Sequence, residues 1–176
     1  MNSELKLRIG TALLTLLLLS GILHATDKDA SPTVPPHVFV DVGACPFECC
    51  TYRQWTVAET TTLLDRPGGK RVVSTLSKGD VVQGLTGKVI STPIAAKADR
   101  DIPETPIKKG DTFYVLHYNG EGYWKAWFQG KITLVHEDVL DFPKPKAKWW
   151  VKVKDSHGNL GWALSHRNFA HQDACE

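Results

Sequence analysis

Apolar and polar residues alternate most regularly near the C-terminus. Trp149, Val151 and Val153 interleave with Trp150, Lys152 and Lys154, which is the two-residue period of a half-buried strand. Asp155-Ser156-His157-Gly158 supplies a turn, and Leu160, Trp162 and Leu164 resume the alternation. A loop of those four residues sets Val153 opposite Leu160, Val151 opposite Trp162 and Trp149 opposite Leu164. Trp149, Val151, Val153, Leu160 and Trp162 are therefore expected to be buried together.

Shorter runs of the same kind fill the rest of the chain. Strands are predicted over 38–40, within 51–64, and over 71–76, 81–90, 112–118, 123–128 and 132–135. Glycine and proline turns divide them, as at Arg66-Pro67-Gly68-Gly69-Lys70 and Asn119-Gly120-Glu121-Gly122. Lys78-Gly79-Asp80 and Lys109-Gly110-Asp111 each lead into a strand. Residues 91–106 carry Pro93, Pro103 and Pro106 and are expected to be a connection; residues 26–37 read as a flexible leader. No stretch after residue 25 keeps a helical period over three turns, so the pattern predicts an all-β barrel or sandwich.

The N-terminus changes the compartment. Lys6 and Arg8 precede an apolar run over 9–23, and Ala25 suits the last position before a cleavage site. That run is shorter than the roughly 20 residues a spanning helix needs, so residues 1–25 predict a signal peptide rather than a retained anchor. The expected destination is the periplasm or the exterior, with no membrane attachment once the signal is removed. Losing Glu4, Lys6 and Arg8 lowers the formal charge from +2 to about +1, too little for a nucleic-acid binder. Lys144, Lys146, Lys148, Lys152 and Lys154 form a local basic stretch, expected to guard a solvated strand edge.

Four cysteines in an exported chain predict two disulfides. Joining Cys49 to its neighbour Cys50 strains the intervening peptide, which leaves two schemes. The preferred one is Cys45–Cys50 with Cys49–Cys175; Cys45–Cys49 with Cys50–Cys175 is the alternative.

Three groups of residues taken together resemble the bacterial SH3-type domain. They are Thr61-Thr62-Leu63-Leu64-Asp65-Arg66-Pro67; the run from Val72 through Lys78-Gly79-Asp80 to Val82; and Trp149-Trp150-Val151-Lys152-Val153 with Gly158 and Gly161-Trp162-Ala163. The resemblance implies a small SH3-like barrel. Its first part, with the cysteine loop, covers 38–90, and its closing hairpin and disulfide-tied tail cover 148–176. Residues 91–147 are then a β-hairpin insertion; two degenerate SH3-like barrels in succession are the alternative. The resemblance also implies a binding or interaction module of the bacterial cell envelope. Its partner is expected to be a cell-wall component, peptide or glycan, or an envelope protein. A small exported enzyme or enzyme inhibitor is the rival class.

Candidate chemistry narrows the choice. No nucleophile elbow, metalloprotease helix or paired-carboxylate motif is present, so no catalytic residue and no cofactor are expected. His166, His171 and the cysteines have donor types that suit zinc, but export favours oxidised sulfurs, and no metal is expected. The remaining candidate is aromatic. With Asn119 to Gly122 as a loop, Phe113, Val115, His117, Trp124, Ala126 and Phe128 share one face. Tyr114, Leu116, Tyr118, Tyr123, Lys125 and Trp127 share the other. This second face either packs on the barrel or forms a ligand groove, with Tyr114, Tyr118, Tyr123, Lys125 and Trp127 as its binding residues.

Overall fold

The computed structural model describes residues 33–165 and 167–175, which contain twelve strands and no helix. They are β1 (Phe39–Val42), β2 (Gln54–Val57), β3 (Thr61–Leu64), β4 (Val72–Leu76), β5 (Val81–Ser91) and β6 (Ile94–Lys97). After these come β7 (Thr112–Gly120), β8 (Tyr123–Phe128), β9 (Lys131–His136), β10 (Ala147–Lys154), β11 (Leu160–Leu164) and β12 (Phe169–Ala170). The chain is all-β, as the alternation predicts. The expected signal peptide, most of the leader and His166 lie outside the described residues.

The strands form two antiparallel sheets. The first has the order β12-β2-β5-β10-β11-β3-β4, with β1 also on β5; the second is the meander β6-β7-β8-β9. Strand β5 organises the first sheet. On one side β2 pairs its start (Trp55 opposite Val82) and β1 its end (Val40 opposite Ile90), while β10 follows the other side. Trp55 and Val57 from one end of the sheet meet Leu63 and Leu76 from the other in a core with Val151, Val153 and Ala163. Sharing one core requires the sheet to curl on itself, the half-barrel form of a twisted sheet. Trp55 sits at its centre, ringed by Tyr52, Trp149 and Phe169.

The closing hairpin corrects the expected register by one residue. Val151 lies opposite Ala163, Lys152 opposite Trp162 and Lys154 opposite Leu160. Leu160 is therefore 48% exposed, and Trp162 faces outward instead of joining Val151 and Val153 in the core. Two residues account for the shift. Asp155 builds a longer loop, taking the backbone N–H groups of His157 and Asn159 on Oδ1 and the Asn159 and Ser74 side chains on Oδ2. At Gly161 a Cβ would lie 2.6 Å from Leu63 Cβ, so this inward position admits only glycine.

Residues 94–136 repeat the path of the sheet whose strands precede and follow them. In the first sheet β2, β5, β10 and β11 are successive neighbours; in the second β6, β7, β8 and β9 are. Each Lys-Gly-Asp turn is built alike. Gly79 N–H donates to the Val57 carbonyl, and Val57 N–H to that of Asp80, both at 2.8 Å. Gly110 and Ala98 exchange the same pair with Asp111 at 2.8 and 2.9 Å. Gly79 and Gly110 have φ of 93° and 92°, a region open chiefly to glycine. Each following strand then carries a bulge at a leucine, Leu85 or Leu116, five residues after the aspartate. The second sheet has its own core, which includes Phe113, Val115, Ala126, Phe128, Val135, Leu140 and Phe142. Its strand β6 falls where the prolines led to an expected connection; it pairs with β7, Ala96 opposite Phe113.

The disulfides are Cys45–Cys50 and Cys49–Cys175, the preferred scheme, with Cα atoms 5.5 and 5.7 Å apart. Such bonds persist in an oxidising, non-cytoplasmic environment. No helix among the described residues is long and apolar enough to cross a membrane. Lys152 and Lys154 do not guard an edge, because β10 lies there between β5 and β11, and Lys144 and Lys146 precede the strand.

Candidate functional site

The bulge at Leu116 redistributes the expected aromatic face. Up to Val115 the pairing is as expected, with Tyr114 opposite Trp127 and Val115 opposite Ala126. Beyond the bulge His117 lies opposite Lys125 and Tyr118 opposite Trp124. Leu116 is buried, His117 moves to the face of Tyr114, Tyr123, Lys125 and Trp127, and Tyr118 leaves it. Tyr118 instead packs edge-on against Trp124 at 5.5 Å, and its hydroxyl accepts the Gly122 N–H at 3.0 Å. Four of the five expected binding residues therefore share a face, and Tyr118 does not.

Strand β1 covers part of that face. Asp41 Oδ2 lies 2.6 Å from Lys125 Nζ and 2.9 Å from His117 Nε2, and Phe39 stacks on the His117 ring. Lys125 is thus committed to an internal ion pair at the seam between the sheets. Trp127, half-buried beside it, has a buried indole N–H with no acceptor among the described residues. Asp41 was not foreseen as a partner, although an acid two residues after the inward Phe39 is a signal of a buried pair.

His117 is 1% exposed, and its Nδ1 lies 2.6 Å from the Tyr118 carbonyl oxygen. Burial holds its pKa below the ordinary histidine value and outweighs the Tyr118 carbonyl and Asp41, which favour the charged ring. A depressed histidine pKa means that the unfolded chain binds the proton more readily. Its stabilising effect is complete above about pH 6.5 and is lost as the pH falls below that value, by at most about 1.4 kcal/mol per unit. Urea midpoints measured from pH 5 to 8 should show this slope, and His117→Gln should flatten it.

The open part of the face lies at Tyr123. This residue is 37% exposed, and its ring meets His136 edge-on at 4.7 Å. A cleft of about 680 Å³ is lined by Tyr123, Thr133, Leu134 and His136 on one side. Ile102, Pro103, Glu104 and Val139 line the other. It touches Thr133, from the inward face of β9, together with outward Leu134 and His136, so it opens on the edge of that strand. That edge pairs with no other described strand. Of the lining residues only Tyr123 was expected from the sequence. The 102–104 wall comes from the long loop before β7, which alternation cannot place.

All four cysteine sulfurs are bonded to one another, so Cys49 and Cys175 are not free to join Asp173 as metal ligands. His171 lies by Thr56, with Nδ1 3.2 Å from the hydroxyl. Compared with known protein families, with curated proteins and with solved structures, the chain matches none.

Proposed function

We propose that the protein is an exported SH3-like binding module of the bacterial cell envelope, periplasmic or secreted, that takes an extended peptide along β9. The observation that carries this reading is the cleft beside a free strand edge, with Tyr123, Leu134 and His136 on its wall. An unpaired edge offers backbone donors and acceptors to an added strand, and the flanking pockets select alternate side chains. A wall stem peptide or an extended segment of an envelope protein meets those requirements. The disulfides and the basic, apolar N-terminal run support the envelope as the setting. No catalytic step is assigned. His117, the histidine held between a carboxylate and a carbonyl, is sealed inside the seam.

Tyr123→Ala and Leu134→Asp test the reading. Both side chains are more than a third exposed, so Leu134→Asp should alter stability by about 0.5 kcal/mol, and Tyr123→Ala, which also loses the edge-on contact with His136, by about 1 kcal/mol. Each should nonetheless weaken retention on purified wall sacculi, or binding of soluble stem peptides, by about tenfold. Wild-type protein that neither material retains, or variants that bind as well as wild type, would remove the support for this function.

A further inference from the structure

A second surface lies on the outward side of the first sheet. Register places Ile90 beside Lys148, then Lys88, Trp150 and Leu164 in a row, then Thr86, Lys152 and Trp162. Gln83, Lys154 and Leu160 follow in the next row. These positions hold four lysines, two tryptophans and no carboxylate. None of the four lysines forms an ion pair among the described residues, and Lys88 Nζ stands 5.1 Å from the centre of the Trp162 ring. Because β10 is flanked by β5 and β11 over 150–154, Lys152 and Lys154 do not serve to block edge pairing.

The internal repeat indicates what this position accepts. Lys152 lies opposite Thr86, one residue past the Leu85 bulge, and opposite Trp162 on the next strand. Lys125 lies opposite His117, one residue past the Leu116 bulge, and opposite Leu134. The two lysines occupy equivalent places. In the second sheet that place is filled by a carboxylate, Asp41, at 2.6 Å; in the first sheet no carboxylate among the described residues pairs with Lys152.

We propose that the outward face of β5, β10 and β11 binds an acidic polysaccharide, one whose sugar rings carry carboxylates. The carboxylates pair with Lys88, Lys148 and Lys152, and the apolar faces of the rings lie on Trp150 and Trp162. A polymer fits better than a small anion: Lys148 and Lys152 are four residues apart on one strand, about 13 Å at 3.3 Å per residue. This surface is separate from the β9 cleft and does not depend on the peptide reading.

The test is a tryptophan-fluorescence titration of the disulfide-bonded protein with alginate, a polyuronate. Neutral dextran and a thymidine oligonucleotide serve as comparison ligands. Alginate should bind, more weakly as salt rises, and dextran should not. Lys148→Glu with Lys152→Glu should weaken alginate binding by about tenfold, and a control pair with the same charge change, Lys70→Glu with Lys78→Glu, should leave it nearly unchanged. Thermal midpoints of both pairs should stay near wild type, since all four side chains reach solvent. Four results would each overturn the proposal. They are no alginate binding at low salt, equal binding of dextran, tighter binding of the oligonucleotide, and equal losses in the two charge-reversed pairs.

Discussion

Removing the Cys49–Cys175 bridge is expected to cost about 5 kcal/mol, against about 2 kcal/mol for Cys45–Cys50. The chain-entropy relation gives these values for sequence separations of 126 and 5 residues. The tail has other attachments. Thr51 N–H donates to the Gln172 carbonyl at 3.0 Å, Ala174 N–H to that of Cys49 at 2.8 Å, and the Arg53 guanidinium to those of His171 and Asp173. These bonds hold the folded tail in place without the sulfurs, so the loss falls mainly on the unfolded chain. A domain of this size has about 5–15 kcal/mol in all, so the Cys49→Ala/Cys175→Ala protein should be close to unfolding at 37 °C. Urea midpoints of the two double variants measure the difference. Equal losses would contradict the assignment of the long loop to Cys175.

Asp41→Ala should cost about 3 kcal/mol. The carboxylate is the shared partner of Lys125, whose side chain is 24% exposed, and of His117, which is almost fully enclosed. Taking it away leaves a lysine and an imidazole facing apolar neighbours at the seam. Lys125 can turn partly toward water, which places the loss at the lower end for a broken buried pair. The loss arises from the orphaned cation rather than from missing packing, so adding Lys125→Met should recover part of it. A double-mutant cycle on midpoints reads that coupling. Additive losses would mean that the two side chains do not interact.

Alternation was enough to find nearly every strand, because each sheet buries one face. It misplaced side chains wherever the ladder departs from a strict two-residue period. The hairpin register slipped at Asp155, whose hydrogen bonds lengthen the loop by one residue, and at Gly161, whose lack of a side chain carries no apolar signal. Alternation alone puts Tyr118 on the wrong face because a bulge inserts a residue without leaving a gap in the hydrophobic pattern. A signal for that bulge existed: Leu85 and Leu116 stand at the same distance from the two Lys-Gly-Asp steps. The basic stretch hides its position in the sheet for another reason. Strand neighbours far apart in sequence decide whether β10 is an edge, and its partner β5 begins at Val81. The cysteine pairing was legible only in part: adjacency of Cys49 and Cys50 removes one of three schemes, and the fold decides between the other two.

Amide hydrogen exchange tests residue by residue whether an extended peptide adds to β9. Exchange is measured with and without wall stem peptides, on wild type and on Leu134→Asp. The expected result is slower exchange confined to residues 131–136 and to the 102–104 wall, and none of that protection in the variant. Protection that appears instead on β10 and β11, or no change at any amide under saturating peptide, would contradict it.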